Sequence, residues 1–230
     1  MGSVTPMPGP LALVGGGEFS DGCTFDRDLL ASSNAEEVVV VPTGAAYEHP
    51  GRLVDAATAW FGTLGAKARG LDVLRRPDAL DPANVEVLRN AAFLYLVGES
   101  PMHMRSVLKD TPAWDAIVAA WNGGAVLAGS VAGAMVCCDP MVDPRGGAFT
   151  LGLGLLANLA VIPEFDLWSE DAVHRTRKLS PADLSLVGIP QGTALLRDPD
   201  GSWRSEGVSQ VTVYRGGELA DLSGLAITLK

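Results

Sequence analysis

Short apolar runs that end in glycine or a small polar residue recur along the first 130 residues. Five of them are rich in β-branched or aromatic residues and predict strands, at 10–17, 36–44, 66–74, 91–100 and 124–130. The segments between them place apolar residues at intervals of three and four, which predicts helices that include 53–64, 85–88 and 117–121. Continuous apolar strands that alternate with amphipathic helices predict an α/β fold with a mostly parallel sheet covered on both faces.

The second half of the chain continues this pattern and then changes it. Apolar runs at 159–168 and 184–196 each lead into polar residues. The segment 198–224 carries the turn sequences "PDG" and "RGG" between alternating strands, which predicts C-terminal hairpins that complete the sheet. Because no change of composition marks a boundary, we expect a single domain over 1–230.

Residues that follow the strands are the first candidates for a binding site. In open parallel sheets the ligand lies beyond the carboxyl ends of the strands. The residues at these places are small or acidic: Gly17, Glu18, Gly98, Glu99, Ser130 and Val131.

Composition excludes several classes of function. The chain has 27 acidic and 17 basic residues and a formal charge of −10, which disfavours a nucleic-acid partner. Its three cysteines are an odd number, two of them adjacent, which is typical of reduced thiols. The N-terminal segment has neither a basic lead nor an apolar stretch long enough for a signal peptide or a membrane span. We therefore expect a cytoplasmic protein without a membrane partner; whether "MGS" is native stays open.

The segment "AVLAGSVAGAM" (125–135) carries the most specific local signal. Gly129-Ser130-Val131-Ala132-Gly133 has the outline of the strand-turn-helix elbow that presents a catalytic serine, with valine in the middle position. With "LALVGGGE", "VVVVPTGAA", "YLVGESPMHMRSVL", "VIPEFD" and "VGIPQGTAL", in chain order, it resembles the dipeptidase E and cyanophycinase family of serine peptidases. The resemblance extends from about residue 11 to about residue 196 and implies a three-layer α/β/α fold of the class I glutamine amidotransferase-like type.

The resemblance also implies where a catalytic triad would lie. The nucleophile's position is held by Val131, the general base's by Glu164 and the orienting acid's by Gln191. In the dipeptidase E branch the acid lies between elbow and base, where Asp143 falls. Valine has no proton to give, a carboxylate is a weaker base than imidazole, and a neutral amide cannot compensate an imidazolium. These replacements predict a degenerate triad.

The oxyanion loop of the family also differs here. The resemblance places paired glycines after the strand "YLV", where this chain has Gly98-Glu99. A carboxylate at this place would oppose the negative charge that develops on an acyl oxygen during hydrolysis.

Three functions remain open from the sequence. The first is a non-peptidase homologue that binds a small peptide-like or amino-acid-derived ligand. The second is an enzyme in which Glu164 and Glu99 perform acid/base chemistry such as isomerisation, cyclisation or elimination. The third is residual hydrolysis by Ser130. Further candidate ligand-binding residues are Glu18, His103 and Asp166, with Arg175 and Arg177 as candidate anion-binding groups. We expect no metal and no cofactor, and the resemblance makes a homodimer possible.

Overall fold

The computed structural model describes residues 7–225 and 227–229 as an α/β protein. The strands are β1 (Leu11–Val14), β2 (Glu37–Val41), β3 (Lys67–Gly70), β4 (Phe93–Leu96), β5 (Val126–Ser130), β6 (Cys138–Asp139), β7 (Met141–Val142), β8 (Phe149–Thr150), β9 (Leu156–Ala157), β10 (Leu159–Pro163), β11 (Ser185–Ile189), β12 (Thr193–Arg197), β13 (Trp203–Gly207), β14 (Thr212–Arg215), β15 (Glu218–Ala220) and β16 (Thr228–Leu229). The helices are α1 (Phe25–Ser33), α2 (Pro50–Thr63), α3 (Arg76–Leu80), α4 (Pro82–Asn90), α5 (Pro101–Leu108), α6 (Pro112–Asn122), α7 (Ala132–Cys137) and α8 (Glu170–Leu179), with 3-10 turns at Thr43–Ala45, Phe165–Leu167 and Leu222–Gly224.

The central sheet has seven strands in the order β13-β12-β1-β5-β4-β2-β3. The five strands from β1 to β3 in this order pair in parallel, and β12 and β13 are antiparallel at one end. All five strands predicted in the first 130 residues are confirmed. The mostly parallel sheet predicted from the sequence is therefore the core of the fold.

Helices cover both faces of this sheet, which explains its continuous apolar strands. On β4, Phe93 and Tyr95 pack into one buried cluster, while Leu94 and Leu96 pack into the other. The first cluster includes residues of α1 and α2, and the second includes residues of α4, α5, α6 and α7. Because successive side chains point to opposite faces, a strand that is covered on both sides has no polar alternation.

The apolar run at 184–196 contains two strands, and the C-terminal hairpins do not all complete the central sheet. Its first part is β11, in a separate sheet of order β10-β11-β14-β15, and its second part is β12, in the central sheet. The break follows from Pro190, which lacks an N–H for a sheet hydrogen bond, and Gly192, which turns the chain at a φ of 62°. The hairpin β12–β13 extends the central sheet, whereas β14–β15 extends the second one.

Backbone hydrogen bonds join the two sheets at the ends of their strands. The N–H of Glu164, after β10, donates to the carbonyl of Gly15, after β1, at 2.6 Å. The N–H of Gly192, after β11, donates to the carbonyl of Gly16 at 2.8 Å. These bonds bring the segments after β1, β10 and β11 to one place.

Candidate active site

The turn between β5 and α7 is a strained elbow with Val131 at its apex. Val131 has φ 46° and ψ −101°, a sparsely populated conformation for a β-branched residue. Two glycines make the turn possible: a Cβ on Gly129 would lie 2.5 Å from the backbone carbon of Gly133, and a Cβ on Gly133 would overlap the carbonyl of Leu96. The sequence register that placed Val131 in the middle of the elbow agrees with this geometry.

The side chains of Val131 and Glu164 converge over Gly16. A Cβ on Gly16 would lie 3.2 Å from Cγ2 of Val131 and 3.1 Å from Cγ of Glu164. Glu164 has a left-handed backbone, with φ 50° and ψ 38°, which turns the chain out of β10. The positions that the sequence assigned to nucleophile and base are thus neighbours, and Gly16 leaves room for both.

Gln191 contacts Glu164 through its side chain and Asp166 through its backbone. Its Nε2 donates to Oε1 of Glu164 at 3.0 Å, and its backbone N–H donates to Oδ1 of Asp166 at 2.9 Å. Glu164 and Gln191 are half-buried, and Asp166 is exposed. The three positions Val131, Glu164 and Gln191 therefore come together in the order that a triad would require, with other chemical groups.

Ser130 does not face Glu164. It is completely buried, and its Oγ donates to Oε2 of Glu18 at 2.7 Å. Ser130 is the last residue of β5 and pairs with Val14 of β1, which brings its side chain to the segment that carries Glu18. Its hydroxyl group has a carboxylate acceptor but does not occupy the apex of the elbow.

The backbone around Gly98 fills the place where an oxyanion hole would form. In enzymes with this elbow, the N–H after the nucleophile donates to the developing oxyanion. Here that N–H, on Ala132, donates to the carbonyl of Gly98 at 3.0 Å. Gly98 has a φ of 123°, and a Cβ on it would overlap the backbone of Gly44. The donor is therefore already satisfied within the protein.

Glu99 lies at the mouth of the site with a perturbed carboxyl group. The residue is exposed as a whole, yet the surrounding protein removes part of the hydration of its carboxyl group. This burial, and after it the negative charges of Glu164, Glu18 and Glu48, raise the pKa of its carboxyl group to about 7. The sequence did not point to Glu48. This residue comes near Glu99 only because the loop after β2 packs against Gly98.

Other predicted residues are engaged elsewhere. Nε2 of His103 lies 2.9 Å from the carbonyl oxygen of Leu74, and its ring packs against Tyr47 with 4.9 Å between centroids. Asp143 accepts hydrogen bonds from Arg145 in a surface turn, which holds the pKa of its carboxyl group below the usual value.

The two candidate anion-binding arginines on α8 differ in their surroundings. Arg177 lies 4.6 Å above the ring of Tyr214 and donates to the carbonyl of Gly217 at 2.8 and 2.6 Å. Arg175 is exposed on α8. The contacts of Arg177 fix the β14–β15 hairpin.

An open cavity of 690 Å³ lies beside the segment that follows Glu164 in the chain. Its walls include the aromatic residues Phe165, Trp168 and Tyr214 and the charged residues Asp171 and Arg177. Half of the lining residues carry acidic, basic or imidazole groups, beside three aromatic rings.

Three further observations on the described part of the chain concern metal ions, membrane spans and cysteines. No group of three or more histidine, cysteine, aspartate or glutamate side chains there is arranged to hold a metal ion. No helix among these residues is long and apolar enough to cross a membrane. The three cysteines are free and buried: Cys23, Cys137 and Cys138.

Comparisons with known proteins agree with the fold. The model of peptidase family S51 matches residues 11–202. The crystal structure of a peptidase from an acI-B1 Actinobacterium is 30% identical in sequence, covers 98% of each chain and has a TM-score of 0.84. The structure of a putative peptidase E protein from Listeria monocytogenes EGD-e is 18% identical, covers 88% of this chain and all of the other, and has a TM-score of 0.66. No curated protein matched the chain.

Proposed function

The chain belongs to peptidase family S51, and from that premise we propose that it is a non-peptidase member that binds a small peptide-like or amino-acid-derived ligand. The observation that carries this proposal is Val131 at the apex of the elbow, at φ 46°. Acyl transfer by this site needs a nucleophile at that place, and an alkyl side chain cannot attack or lose a proton.

Two further features support the loss of peptidase chemistry. Glu164 is paired with an amide donor on Gln191, not with an acid that would stabilise a positively charged base. The N–H of Ala132 is bound to the carbonyl of Gly98, which leaves a developing oxyanion without that donor. Restoring hydrolysis would require changes at all three places.

The remaining geometry supports ligand binding. Glu18, Glu99 and Glu164 are three carboxyl groups at one site, and the charges of Glu164 and Glu18 raise the pKa of Glu99 in addition to the effect of burial. A ligand that presents a protonated amine, as the N-terminus of a peptide or an amino acid does, would be favoured by these carboxylates. The cavity that includes Phe165, the residue after Glu164, is the candidate space for the rest of such a molecule.

A serine-directed probe tests the proposal first. We would expose the purified protein to a fluorophosphonate, assay a panel of aspartyl and other dipeptides for hydrolysis, and read the intact mass. We expect neither an adduct nor turnover. Binding of the same dipeptides and of amino acids would then be measured by calorimetry, with E164Q as the variant that alters the site. An adduct together with turnover would contradict the proposal.

A second candidate function is acid/base catalysis by Glu164 and Glu99. It is favoured by the pKa of about 7 at Glu99, because a group that titrates near neutral pH can both give and accept a proton. The variants E164Q and E99Q separate the two functions once a ligand is known. Conversion of that ligand by the native protein, abolished in both variants, would support catalysis; binding without conversion supports the first proposal.

Residual hydrolysis by Ser130 is the third candidate. The bond from Ser130 to Glu18 supplies an acceptor for the hydroxyl proton, but the residue is completely buried and lies beside the apex. Labelling of Ser130 that is lost in S130A, together with loss of turnover in that variant, would establish it.

A further inference from the structure

Two polar groups behind the candidate active site are buried without hydrogen-bond partners. Asp26, in the first turn of α1, is completely buried, and its Oδ1 has no partner. Tyr95, on β4, is also completely buried, and its hydroxyl group has no partner. Buried polar atoms in native proteins are almost always satisfied, so two such atoms in one region require an explanation.

The surroundings of Asp26 disfavour a negative charge. Its other oxygen, Oδ2, accepts a hydrogen bond from the indole N–H of Trp60 at 2.8 Å. Burial raises the pKa of Asp26 to about 7; the bond from Trp60 acts in the opposite direction, and the negative charge of Glu18 raises the pKa further. One donor does not replace the hydration that a carboxylate loses in an apolar core.

The titratable groups that interact electrostatically with Asp26 are neutral or negative. Tyr95 on β4 and Cys23 before α1 interact with it electrostatically, as does Glu18 after β1. Burial first, and then Asp26, raise the pKa of the Cys23 thiol to about 12, so this group is neutral at physiological pH. The N-terminus of α1 favours an anion, but the effect of a helix end is smaller than the loss of hydration of a fully buried charge.

We propose that Asp26 is a buried proton-binding site, whose carboxyl group carries a proton in the folded protein and donates it to one internal water molecule that also binds the hydroxyl group of Tyr95. A protonated carboxyl group has one O–H donor, and a water molecule both accepts and donates hydrogen bonds. A proton on Asp26 and one water molecule together would satisfy both unpartnered oxygens without a buried negative charge.

Glu18 couples this proton to the candidate active site. Its carboxylate accepts the hydrogen bond from Ser130, and its charge raises the pKa values of both Asp26 and Glu99. A cationic ligand that offsets the charge of Glu18 would also favour loss of the proton from Asp26. On the outer side, a groove of 580 Å³ lined by residues including Cys23 and Trp60 approaches the same region and offers a route for proton exchange.

Equilibrium unfolding as a function of pH tests the proposal. The pKa of Asp26 is raised in the folded state above its ordinary value of 3.8, so the stability it contributes is present at low pH and lost as the pH rises through about 7. The native protein should therefore lose stability relative to D26N between about pH 4 and 7, with the ratio of their unfolding constants changing by at least about tenfold. A ratio that is constant, or that changes in the opposite direction, overturns the proposal.

Spectroscopy of the native protein gives a direct measurement that does not depend on the folding of D26N. The infrared spectrum should contain a protonated carboxyl band that disappears above pH 7 and shifts in Y95F. In E18Q its midpoint should fall by roughly one pH unit, because a neighbouring negative charge is removed. The exposed Asp55 supplies a control, and D55N should leave the midpoint unchanged. Absence of such a band at pH 5, or a band unaffected by Y95F, would overturn the proposal.

Discussion

Nε2 of Gln191 donates a hydrogen bond to Oε1 of Glu164 at 3.0 Å, although the two residues lie on different loops after β11 and β10. The pair stands where the family resemblance places an acid and a base. An amide that donates to a carboxylate orients it and leaves its second oxygen for a ligand. The two positions are thus in direct contact through an amide and a carboxylate.

Replacing Val131 alone should not restore hydrolysis. In V131S the new hydroxyl group would meet Glu164, and the N–H of Ala132 would still be bound to Gly98. The variant V131S/E164H/Q191E supplies a base and an orienting acid as well. Because a general base contributes about 10²–10⁴-fold, we expect the triple variant to react with a fluorophosphonate at least ~10²-fold faster than V131S. Intact mass against time measures both rates, and equal rates would contradict the assignment of these positions.

Replacing the amide of Gln191 by a carboxylate should make the free energy of unfolding depend on pH. Q191E places a second carboxylate at the 3.0 Å contact, and like charges at this distance cannot both ionise without cost. We expect a loss of about 1–3 kcal/mol in the free energy of unfolding at pH 8, and a smaller loss at pH 5.

The matched control for this prediction is E164Q/Q191E, in which amide and carboxylate exchange places. It should recover most of the stability in urea unfolding. A double variant as unstable as Q191E would show that the contact does not form.

Glu99 should titrate near neutral pH. Its pKa is raised in the folded state from 4.5 to about 7, so the associated stability is present below pH 4.5 and lost as the pH rises through 7. NMR titration of the side-chain carboxyl carbons should find its midpoint near 7 and a lower one in E164Q, because the charge of Glu164 is the largest source of repulsion after the effect of burial. D55N, at an exposed position, should leave that midpoint where it is.

Gly98 should not tolerate a side chain. Its φ is 123°, and a Cβ would overlap the backbone of Gly44. We expect G98A to lose roughly 2–4 kcal/mol in the free energy of unfolding, from strain and overlap together. Gly124 is the control, because its φ is 104° but nothing lies within 4 Å of a Cβ there. G124A should show the strain alone, about 1–2 kcal/mol; equal losses in the two variants would argue against the close approach at Gly98.

Much of the fold could be predicted because its signals are local. The apolar runs of β1, β2, β4 and β5 and the spacing in α2 and α6 follow from side-chain periods of two and 3.6 residues, which neighbouring residues set. The sequence could not show that 184–196 divides between two sheets. Both halves are apolar, and only pairing with β14 or with β1 distinguishes them.

Some features of the candidate site could be predicted from the sequence, and others depend on the tertiary structure. The sequence by itself determined that valine occupies the middle of the elbow, because Gly129 and Gly133 fix that register within five residues. Only the tertiary structure decided that Gln191 binds Glu164, that Gly98 takes the N–H of Ala132, and that Glu48 acts on Glu99. The same holds for the two unpartnered oxygens of Asp26 and Tyr95, 69 residues apart in the chain. Hydrogen bonds, burial and charge interactions of this kind depend on distances between remote segments, and those distances exist only after the chain has folded.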